Sequence, residues 1–350
     1  MKINKNFAEI ITKIRNDNLE SRSHSRDLVH WEEEHRLHSG AAKAIVFILP
    51  TRGCSWALSN SGGCSICGYL YDNPQNPDFE KIVKSIRGAL KGKIQKDEKY
   101  SIKLFTSGSF LDKKEVPTEF QVAILREIAT YDQIEEIVIE SRPEYISSNN
   151  LATLSNVINI NKLEIAIGLE SSNNEILRNS INKGFYWEDF KKAVKTVIEA
   201  GARVKAYLLF KPPFVSEYDS AEDILHSVSK VVETGVDTIS INSISIHRGT
   251  FLSDLFEKNQ YRPPWLWSLL NLCKEIKTQF PNLRVICDIV AGGTKRGAHN
   301  CGSCDKDLLS IIRDFTLTQN FNSLNKDVQC SCYNEWKSFL IHEKLNISDL

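Results

Sequence analysis

The sequence contains no long hydrophobic run, no excess of charge of either sign and no low-complexity tract. No apolar stretch approaches the roughly 18 residues that a membrane span needs. The first residues, Met-Lys-Ile-Asn-Lys-Asn, lack the apolar segment of a secretory signal. The 44 basic and 44 acidic side chains balance, so the net charge does not indicate a nucleic-acid-binding protein. We therefore expect a cytoplasmic protein with no membrane partner.

Cysteine is too scarce for a disulfide scaffold, because only nine occur in 350 residues. In a reducing compartment, grouped cysteines more often indicate metal or redox chemistry. Two of the nine, Cys273 and Cys287, stand alone in a predicted helix and a predicted strand, and we expect them to pack in the core. The other seven lie in two groups.

The first group, Cys54, Cys64 and Cys67, follows an apolar run at 44–49 that is typical of a buried strand. Iron–sulfur clusters are normally held by four cysteines, so three thiolates suit a cluster with one open iron that can bind a small molecule. A structural zinc site normally has four ligands, which makes zinc the weaker alternative. Three unrelated buried thiols are the remaining interpretation.

The second group comprises two close pairs in the tail, Cys301 with Cys304 and Cys330 with Cys332. Four thiolates at this spacing predict a closed, structural zinc site. His299 could replace one ligand or bond a ligand sulfur. A second iron–sulfur cluster and unliganded exposed thiols are the alternatives, because four thiolates bind iron as well as zinc.

Strand-like and helix-like segments alternate through the middle of the chain. The predicted strands lie at 44–49, 101–106, 136–140, 163–169, 204–210 and 238–246, with a possible last strand at 283–289. Such alternation predicts an α/β fold with a parallel sheet and right-handed crossovers. Six βα units are fewer than the eight of a closed barrel, so we expect a partial (β/α)6 TIM-like barrel, with a doubly wound sheet as the alternative.

We divide the chain into a helical N-terminal extension at 1–40, the partial barrel at 41–290 and a cysteine-rich zinc module at 291–350. His35 and His38 are predicted to be helix neighbours in the extension. They could bind a metal ion, but a solvated helix face is the favoured interpretation.

Four segments carry a resemblance to a known family. They are Thr-Arg-Gly-Cys54, Gly-Gly-Cys64-Ser-Ile-Cys67-Gly-Tyr, Glu140-Ser-Arg142-Pro-Glu-Tyr-Ile and Ile-Gly168-Leu-Glu170-Ser. Together they resemble radical S-adenosylmethionine (radical SAM) enzymes of the Elongator-catalytic-subunit-like branch, and within it the archaeal archaeosine-biosynthesis enzymes. The tail cysteines extend the resemblance over roughly residues 40–340. Nine residues separate the first two cysteines, whereas three do so in the commonest radical SAM motif, and this favours the branch named.

The resemblance implies a 4Fe-4S cluster on Cys54, Cys64 and Cys67, with the amino and carboxylate groups of S-adenosylmethionine on its fourth iron. Reduction of the cluster would cleave the cofactor to a 5′-deoxyadenosyl radical. Ile66 would contact the adenine. Ser107-Gly108-Ser109 stands where the family has Gly-Gly-Glu, the turn that binds the methionine amino group, and the acid is missing.

Other cofactor-binding residues implied by the resemblance follow the ends of successive strands. The carboxylates of Glu140 and Glu170 could hold an ammonium group or ribose hydroxyls, and the guanidinium of Arg142 could bind a carboxylate. Strand-end salt bridges are the alternative interpretation. Lys205 and Asn242 are expected to point toward the same end.

The implied substrate is tRNA with a lysine-bearing 7-deazaguanine at position 15, the lysine having been attached by a transglycosylase-like partner subunit. Cleavage of a C–N bond of the lysine moiety would leave archaeosine, with electrons from an external donor. Tail residues could stack and pair with RNA, namely Lys295, Arg296, Tyr333 and Trp336. The alternatives are a radical tRNA methylthio- or carboxymethyl-transferring enzyme and a non-catalytic iron–sulfur or zinc protein.

Overall fold

The computed structural model describes residues 2–19 and 26–347, and the remaining positions of the chain lie outside it. The strands are β1 Val29–Leu37, β2 Gly40–Ile48, β3 Tyr100–Phe105, β4 Ile134–Glu140, β5 Leu163–Glu170, β6 Arg203–Phe210, β7 Thr238–Ser243 and β8 Arg284–Ile286. The helices are α1 Lys2–Leu19, α2 Phe79–Lys93, α3 Thr118–Ala129, α4 Ser148–Ser155, α5 Asn174–Ile176, α6 Trp187–Glu199, α7 Glu217–Glu233, α8 Phe251–Glu257, α9 Leu266–Gln279, α10 Asp305–Thr318 and α11 Cys332–Ile347.

The eight strands form one sheet in the order in which they occur along the chain. All neighbouring pairs from β2 to β8 are parallel. Parallel neighbours need crossover connections, and here the crossovers are helical. The sheet curls into a half-barrel, which confirms the predicted partial barrel. β8 occupies the centre of the segment predicted as a possible last strand.

The N-terminal extension is helical only in α1. Residues 29–37, which we expected to be helical, form β1, an antiparallel partner of β2. The two strands are joined by only two residues, His38 and Ser39, and so short a connection imposes antiparallel pairing. Consequently His35 and His38 are not helix neighbours. His35 is buried in β1, while His38 lies in the turn.

One face of the sheet packs against the helices in a continuous hydrophobic core. Alternate strand residues such as Phe47, Leu104 and Leu208 contact this core together with helix residues such as Ile86 and Leu125. This follows from the period of two in a strand, which sends successive side chains to opposite faces. The other face lines the interior of the barrel, where the polar side chains of the strands lie.

A buried network of charged side chains fills the amino-terminal end of the barrel interior. The carboxylate of Glu136 accepts from His35 Nε2 at 3.1 Å and from Arg284 Nη1 at 3.1 Å. Glu164 forms an ion pair with Lys205, and both side chains are almost completely buried. Burial lowers the pKa of His35 to about 4, so this histidine is neutral at pH 7.

Lys205, predicted as a cofactor-binding residue, is held in the barrel interior by its ion pair with Glu164. It is the third residue of β6, and its partner Glu164 is the second residue of β5. Both positions are near the strand starts, whereas the predicted cofactor residues follow the strand ends. The alternation of side chains correctly places Lys205 inside the barrel, where it also lies near enough to Glu140 to lower the pKa of that carboxyl against the larger effect of burial.

The C-terminal helices pack onto the barrel and share its core. Leu308 and Phe315 of α10 and Trp336 of α11 belong to the same buried cluster as the strands. Cys273 and Cys287 also lie in this core, as expected. In the described ranges, no helix combines the length and hydrophobicity needed to cross a membrane.

Candidate functional site

The loop after β2, which carries Cys54, Cys64 and Cys67, lies beside the turns that follow β3, β4 and β5. A side chain at Gly108, after β3, would meet the Cα of Cys54 at 2.6 Å, so this turn lies directly against the loop. In barrels of parallel strands the catalytic groups sit at this carboxyl end. We call residues 50–68 the cysteine loop.

Helix α1 holds the cysteine loop on one side. Buried Arg15 donates from Nη1 to the carbonyl oxygens of Ala57 and Ser59, the latter at 2.7 Å. Thr12 Oγ1 donates to the Asn60 carbonyl at 3.1 Å. A Cβ at Gly62 would lie 2.7 Å from the Thr12 Cα, so only glycine allows this approach. The loop conformation therefore depends on the N-terminal helix.

A second segment, around Asn182, holds the other side of the loop. The chain makes one π-helical turn at Leu177–Ile181, and Asn182 then adopts a left-handed conformation with φ 56°. Its Nδ2 donates to the carbonyls of Ser61 at 2.9 Å and Gly63 at 2.7 Å. In return, Trp56 Nε1 donates to the Asn182 carbonyl at 2.9 Å. Sequence reasoning missed Asn182, although π-helical turns are frequent at functional sites.

The cysteine thiols lie in a protected but electropositive place. Burial raises the pKa of Cys54 to about 11 and that of Cys67 to about 12. Arg142 lies close enough to Cys54, and Lys183 close enough to Cys67, to oppose these shifts. Without a metal the thiols of Cys54 and Cys67 stay protonated. Bound iron would deprotonate its ligands, and the two cations would offset the resulting negative charge.

The spacing of the three sulfurs distinguishes this group from a single-ion site. The four tail sulfurs all lie within 4.8 Å of one another, and the three sulfurs of the cysteine loop form no such group. A multinuclear cluster binds each cysteine through a different iron, so its ligand sulfurs are more widely spaced than those around one ion. The donor set therefore fits a cluster with an open iron.

Arg142 presents a free hydrogen-bond donor to the site. Its Nε donates to Glu144 at 2.6 Å, its Nη1 donates to the Lys183 carbonyl at 3.0 Å, and its guanidinium lies over the rings of Trp56 and Phe185. Its Nη2 is buried and has no hydrogen-bond partner within the described ranges. An unsatisfied buried donor on a fixed guanidinium suits an anionic ligand, such as a carboxylate.

Glu170 and Lys183 form a buried ion pair beside the cysteines. Lys183 Nζ donates to Glu170 Oε1 at 2.7 Å. Glu170 adopts a left-handed conformation, with φ 68°, directly after a register shift in β5. A Cβ at Gly168 would meet both partners, at 2.8 and 3.0 Å, so glycine leaves room for the pair. Strained backbone of this kind persists where the surroundings demand it, often at functional sites. Sequence reasoning missed Lys183, which lies in a loop rather than at a strand end.

The turn Ser107-Gly108-Ser109 obtains its acid from another part of the chain. Glu115 accepts from the backbone N–H groups of Gly108 at 3.1 Å and Ser109 at 2.7 Å, and from Thr51 Oγ1 at 2.8 Å. Burial raises the pKa of Glu115 to about 7. Ser109 is buried and its Oγ accepts from the Arg142 N–H at 2.9 Å, so it joins two turns rather than facing a ligand. Ser107 Oγ donates to the Tyr69 carbonyl at 3.2 Å.

The remaining predicted cofactor residues are spread over the barrel mouth and interior. Glu140 lies near Thr106 and Tyr207, and burial raises its pKa to about 7. Asn242 Oδ1 accepts from Ser240 Oγ at 3.0 Å on the interior face of β7. Ile66 is half-buried against an apolar cluster formed by Leu177, Ile181, Leu209, Ile244, Ile246 and Leu252. Lys205 is paired with Glu164 and lies near enough to Glu140 to lower the pKa of that carboxyl against the larger effect of burial.

The four tail cysteines converge as ligands of one ion would. Neighbouring sulfurs lie 3.5 Å apart for Cys301 and Cys330, 3.6 Å for Cys304 and Cys332, and 3.4 Å for Cys330 and Cys332. With zinc–sulfur bonds of about 2.3 Å, a tetrahedral site has sulfurs about 3.8 Å apart. The sulfurs are already close to that geometry, and a multi-iron cluster would need them farther apart.

Two N–H donors point at the tail sulfurs. Trp267 Nε1 donates to Cys332 Sγ and Asn300 Nδ2 to Cys304 Sγ, each at 3.3 Å. Such donors favour thiolates and orient ligands. His299 does not act as we had considered, because its Nδ1 contacts the Gly297 carbonyl at 2.8 Å and its neighbour Asn300 makes the sulfur contact.

Comparison with known proteins gives consistent results. The sequence profile described as the radical SAM superfamily matches residues 48–228. Archaeosine synthase subunit beta of Methanosarcina acetivorans is 36% identical over 341 residues, covering 97% of this chain and 96% of that protein. The protein of the same name from Thermococcus kodakarensis is 38% identical over 313 residues, covering 89% and 95%.

Among solved structures, methylornithine synthase has a similar fold. Its TM-score is 0.52 at 14% sequence identity, with 92% of this chain and 91% of that chain covered. At this identity the likeness shows the fold alone.

Proposed function

The chain belongs to the radical SAM superfamily, and from its relatives named archaeosine synthase subunit beta we propose that it is the radical-forming subunit of an archaeosine synthase. It would act on tRNA that carries lysine-modified 7-deazaguanine and break a C–N bond of the lysine moiety. The observation that carries the proposal is the meeting of three thiols, a free Arg142 donor and the Glu170–Lys183 pair at the carboxyl end of the barrel.

Cys54, Cys64 and Cys67 would hold a 4Fe-4S cluster, and the fourth iron would bind S-adenosylmethionine. When bound, the cluster and S-adenosylmethionine would supply the radical chemistry, with an electron from the external donor. The protein binds and orients its ligands and excludes water. Its aromatic side chains Trp56 and Phe185 cover the Arg142 guanidinium and keep it desolvated, which strengthens its interaction with an anion.

Each charged residue has a matching group on the cofactor. The free Nη2 of Arg142 suits the methionine carboxylate, while Glu140 and Glu170 suit the ammonium group or the ribose hydroxyls. Ile66, which packs in the apolar cluster beside the loop, suits the adenine face. In the turn at Ser107–Ser109 the N–H donors of residues 108 and 109 are already taken by Glu115. Contacts of this turn with the methionine ammonium group would therefore use its backbone carbonyl oxygens.

We also propose zinc as the metal of the tail, because four sulfurs at 3.4–3.6 Å from their neighbours suit one tetrahedral ion. The site joins the start of α10 to the start of α11, both of which pack on the barrel. Its role would be structural. A transglycosylase-like partner subunit, an external electron donor and a cytoplasmic location complete the proposal.

The test is anaerobic reconstitution with iron and sulfide, followed by turnover with lysine-bearing tRNA, S-adenosylmethionine and a reductant. We expect 5′-deoxyadenosine and archaeosine, both measured by mass spectrometry, and neither from the Cys54→Ala/Cys64→Ala/Cys67→Ala variant. Methylthiolated or carboxymethylated nucleosides would instead assign a transfer reaction. Absence of cofactor cleavage in protein with a full cluster would support a non-catalytic role.

A further inference from the structure

A group of exposed cationic and aromatic side chains lies on the rim of the barrel mouth. Arg248 follows β7, and Lys295 and Arg296 follow β8, so all three occupy carboxyl-end loops. The two loops are joined, because the N–H of Ile246 donates to the Arg296 carbonyl at 2.8 Å. We call Tyr69, His247, Arg248, Lys295 and Arg296 the mouth rim.

The three cations of the mouth rim are available to a ligand. All three are exposed, and within the described ranges none of them forms an ion pair. Other cations near the barrel mouth are engaged, as Lys183 is with Glu170 and Lys211 with Glu217. The near-neutral protein thus keeps a local surplus of positive charge at the entrance to its site.

Tyr69 provides an aromatic surface at the same place. It is the second residue after Cys67, it is 48% exposed, and its ring lies 4.7 Å from that of His247 at an angle of 71°. A Cβ at Gly68 would meet the His247 Cβ at 2.8 Å, so the loop carrying Tyr69 packs closely against the loop that follows β7. Ser107 Oγ donates to the Tyr69 carbonyl at 3.2 Å and restrains its backbone. The ring is therefore supported on one edge and open on a face.

We propose that the mouth rim is the RNA-binding surface of this chain, with Tyr69 stacking on the exposed nucleotide and Arg248, Lys295 and Arg296 binding the flanking phosphates. Cations along the backbone combined with an aromatic platform are the recurring means of binding unpaired nucleotides. This assignment rests on the proposed function, which requires an RNA substrate. It removes Trp336 from the RNA-binding candidates, since that side chain is buried and donates to Ser268 Oγ.

The first experiment measures binding of a fluorescently labelled tRNA transcript to reconstituted full-length protein by anisotropy at several salt concentrations. The variant Arg248→Gln/Lys295→Gln/Arg296→Gln removes the three cations. Loss of three phosphate contacts should lower the slope of log affinity against log salt by about two units. The matched control, Lys84→Gln/Lys91→Gln/Lys96→Gln, removes the same charge from exposed residues on the outer face of the barrel and should leave the slope unchanged.

The second experiment tests Tyr69. Tyr69→Ala should weaken tRNA binding about fivefold or more, because one base–aromatic stack is lost, whereas Tyr69→Phe should bind as the wild type does. Iron content, zinc content and thermal stability of each variant confirm that the fold is intact. Equal tRNA affinity in the rim and control variants would overturn the proposal, as would equal loss in both.

Three further outcomes separate this proposal from others. Rim variants that bind tRNA normally but no longer bind the partner subunit would assign the surface to a protein interface and overturn it. Wild-type protein that passes the rim test but produces no archaeosine would leave the RNA surface standing and refute the proposed reaction. Failure of the wild-type protein to bind tRNA would overturn the rim assignment, while archaeosine formation in the presence of the partner would still support the function.

Discussion

Replacing Lys205 by methionine should destabilise the protein without removing a cofactor contact. The lysine is paired with Glu164, and both side chains are at least 96% buried. Removing one member of a buried pair leaves an uncompensated charge, which costs about 3–5 kcal/mol. Arg284 remains 3.7 Å from Glu164, so we expect the lower half of this range.

This loss should be visible in thermal unfolding. The unfolding entropy of a 350-residue chain is about 0.7 kcal/mol/K, so a loss of about 3–4 kcal/mol corresponds to a Tm lower by about 4–6 °C. The control Lys326→Met breaks the exposed pair with Asp314, which lies at 2.7 Å, and should lower Tm by about 1 °C or less. Scanning calorimetry of metal-loaded proteins measures both.

The double variant Lys205→Met/Glu164→Leu removes both charges and should regain most of the lost stability, since apolar replacement of a buried pair is often neutral. Arg284 keeps its contact with Glu136 at 3.1 Å. S-adenosylmethionine cleavage by the double variant should equal that of the wild type. A stable double variant that cannot bind the cofactor would refute a purely structural role for Lys205.

Three further predictions concern the site and its supports. Burial raises the pKa of Glu140 to about 7, and a cationic cofactor prefers the ionised carboxylate, so S-adenosylmethionine should bind more tightly as pH rises from 6 to 8. Anaerobic calorimetry of Glu140→Gln should show no such trend, and a pH-dependent affinity that survives the substitution would contradict this role. Arg15→Ala leaves the carbonyls of Ala57 and Ser59 without their charged donor, which costs about 1.5–3 kcal/mol. Less iron should therefore remain bound during dialysis against a chelator, whereas Lys13→Ala, at an exposed position on the same helix, should behave as wild type. Cys301→Ser/Cys330→Ser should lose one zinc per chain and lower Tm while iron content is unchanged, and elemental analysis showing full zinc would exclude the tail site.

Much of the fold could be predicted because hydrophobic runs and turn residues reveal buried parallel strands directly. The strand at 29–37 escaped prediction because its outward side chains are charged and its pairing depends on β2. Glu33 of this strand forms an ion pair with Lys103 of β3, a contact that no local sequence pattern shows. The sequence pattern of an amphipathic strand at the edge of a half-barrel resembles that of a charged helix.

The candidate site was predictable where cysteine spacing and strand ends carry the information. Spacing identified two groups of thiols, and the structure brings the tail group together. Arg15, Glu115 and Lys183 were missed because each acts from a helix or loop that only the tertiary fold brings to the cysteines. Alternation along a strand placed Lys205 on the interior face, but its pairing with Glu164 depends on the neighbouring strand and could not be predicted.

The supports of the cysteine loop lie far apart along the chain, and this sets an order of maturation during synthesis. The loop at 50–68 needs α1 on one side and Asn182 on the other, so a nascent chain that ends before Asn182 cannot hold it in the described conformation. The tail site waits for Cys332, near the end of the chain. The cysteine loop can therefore gain both of these supports once Asn182 has been made, whereas the four tail sulfurs can meet only when translation is nearly complete.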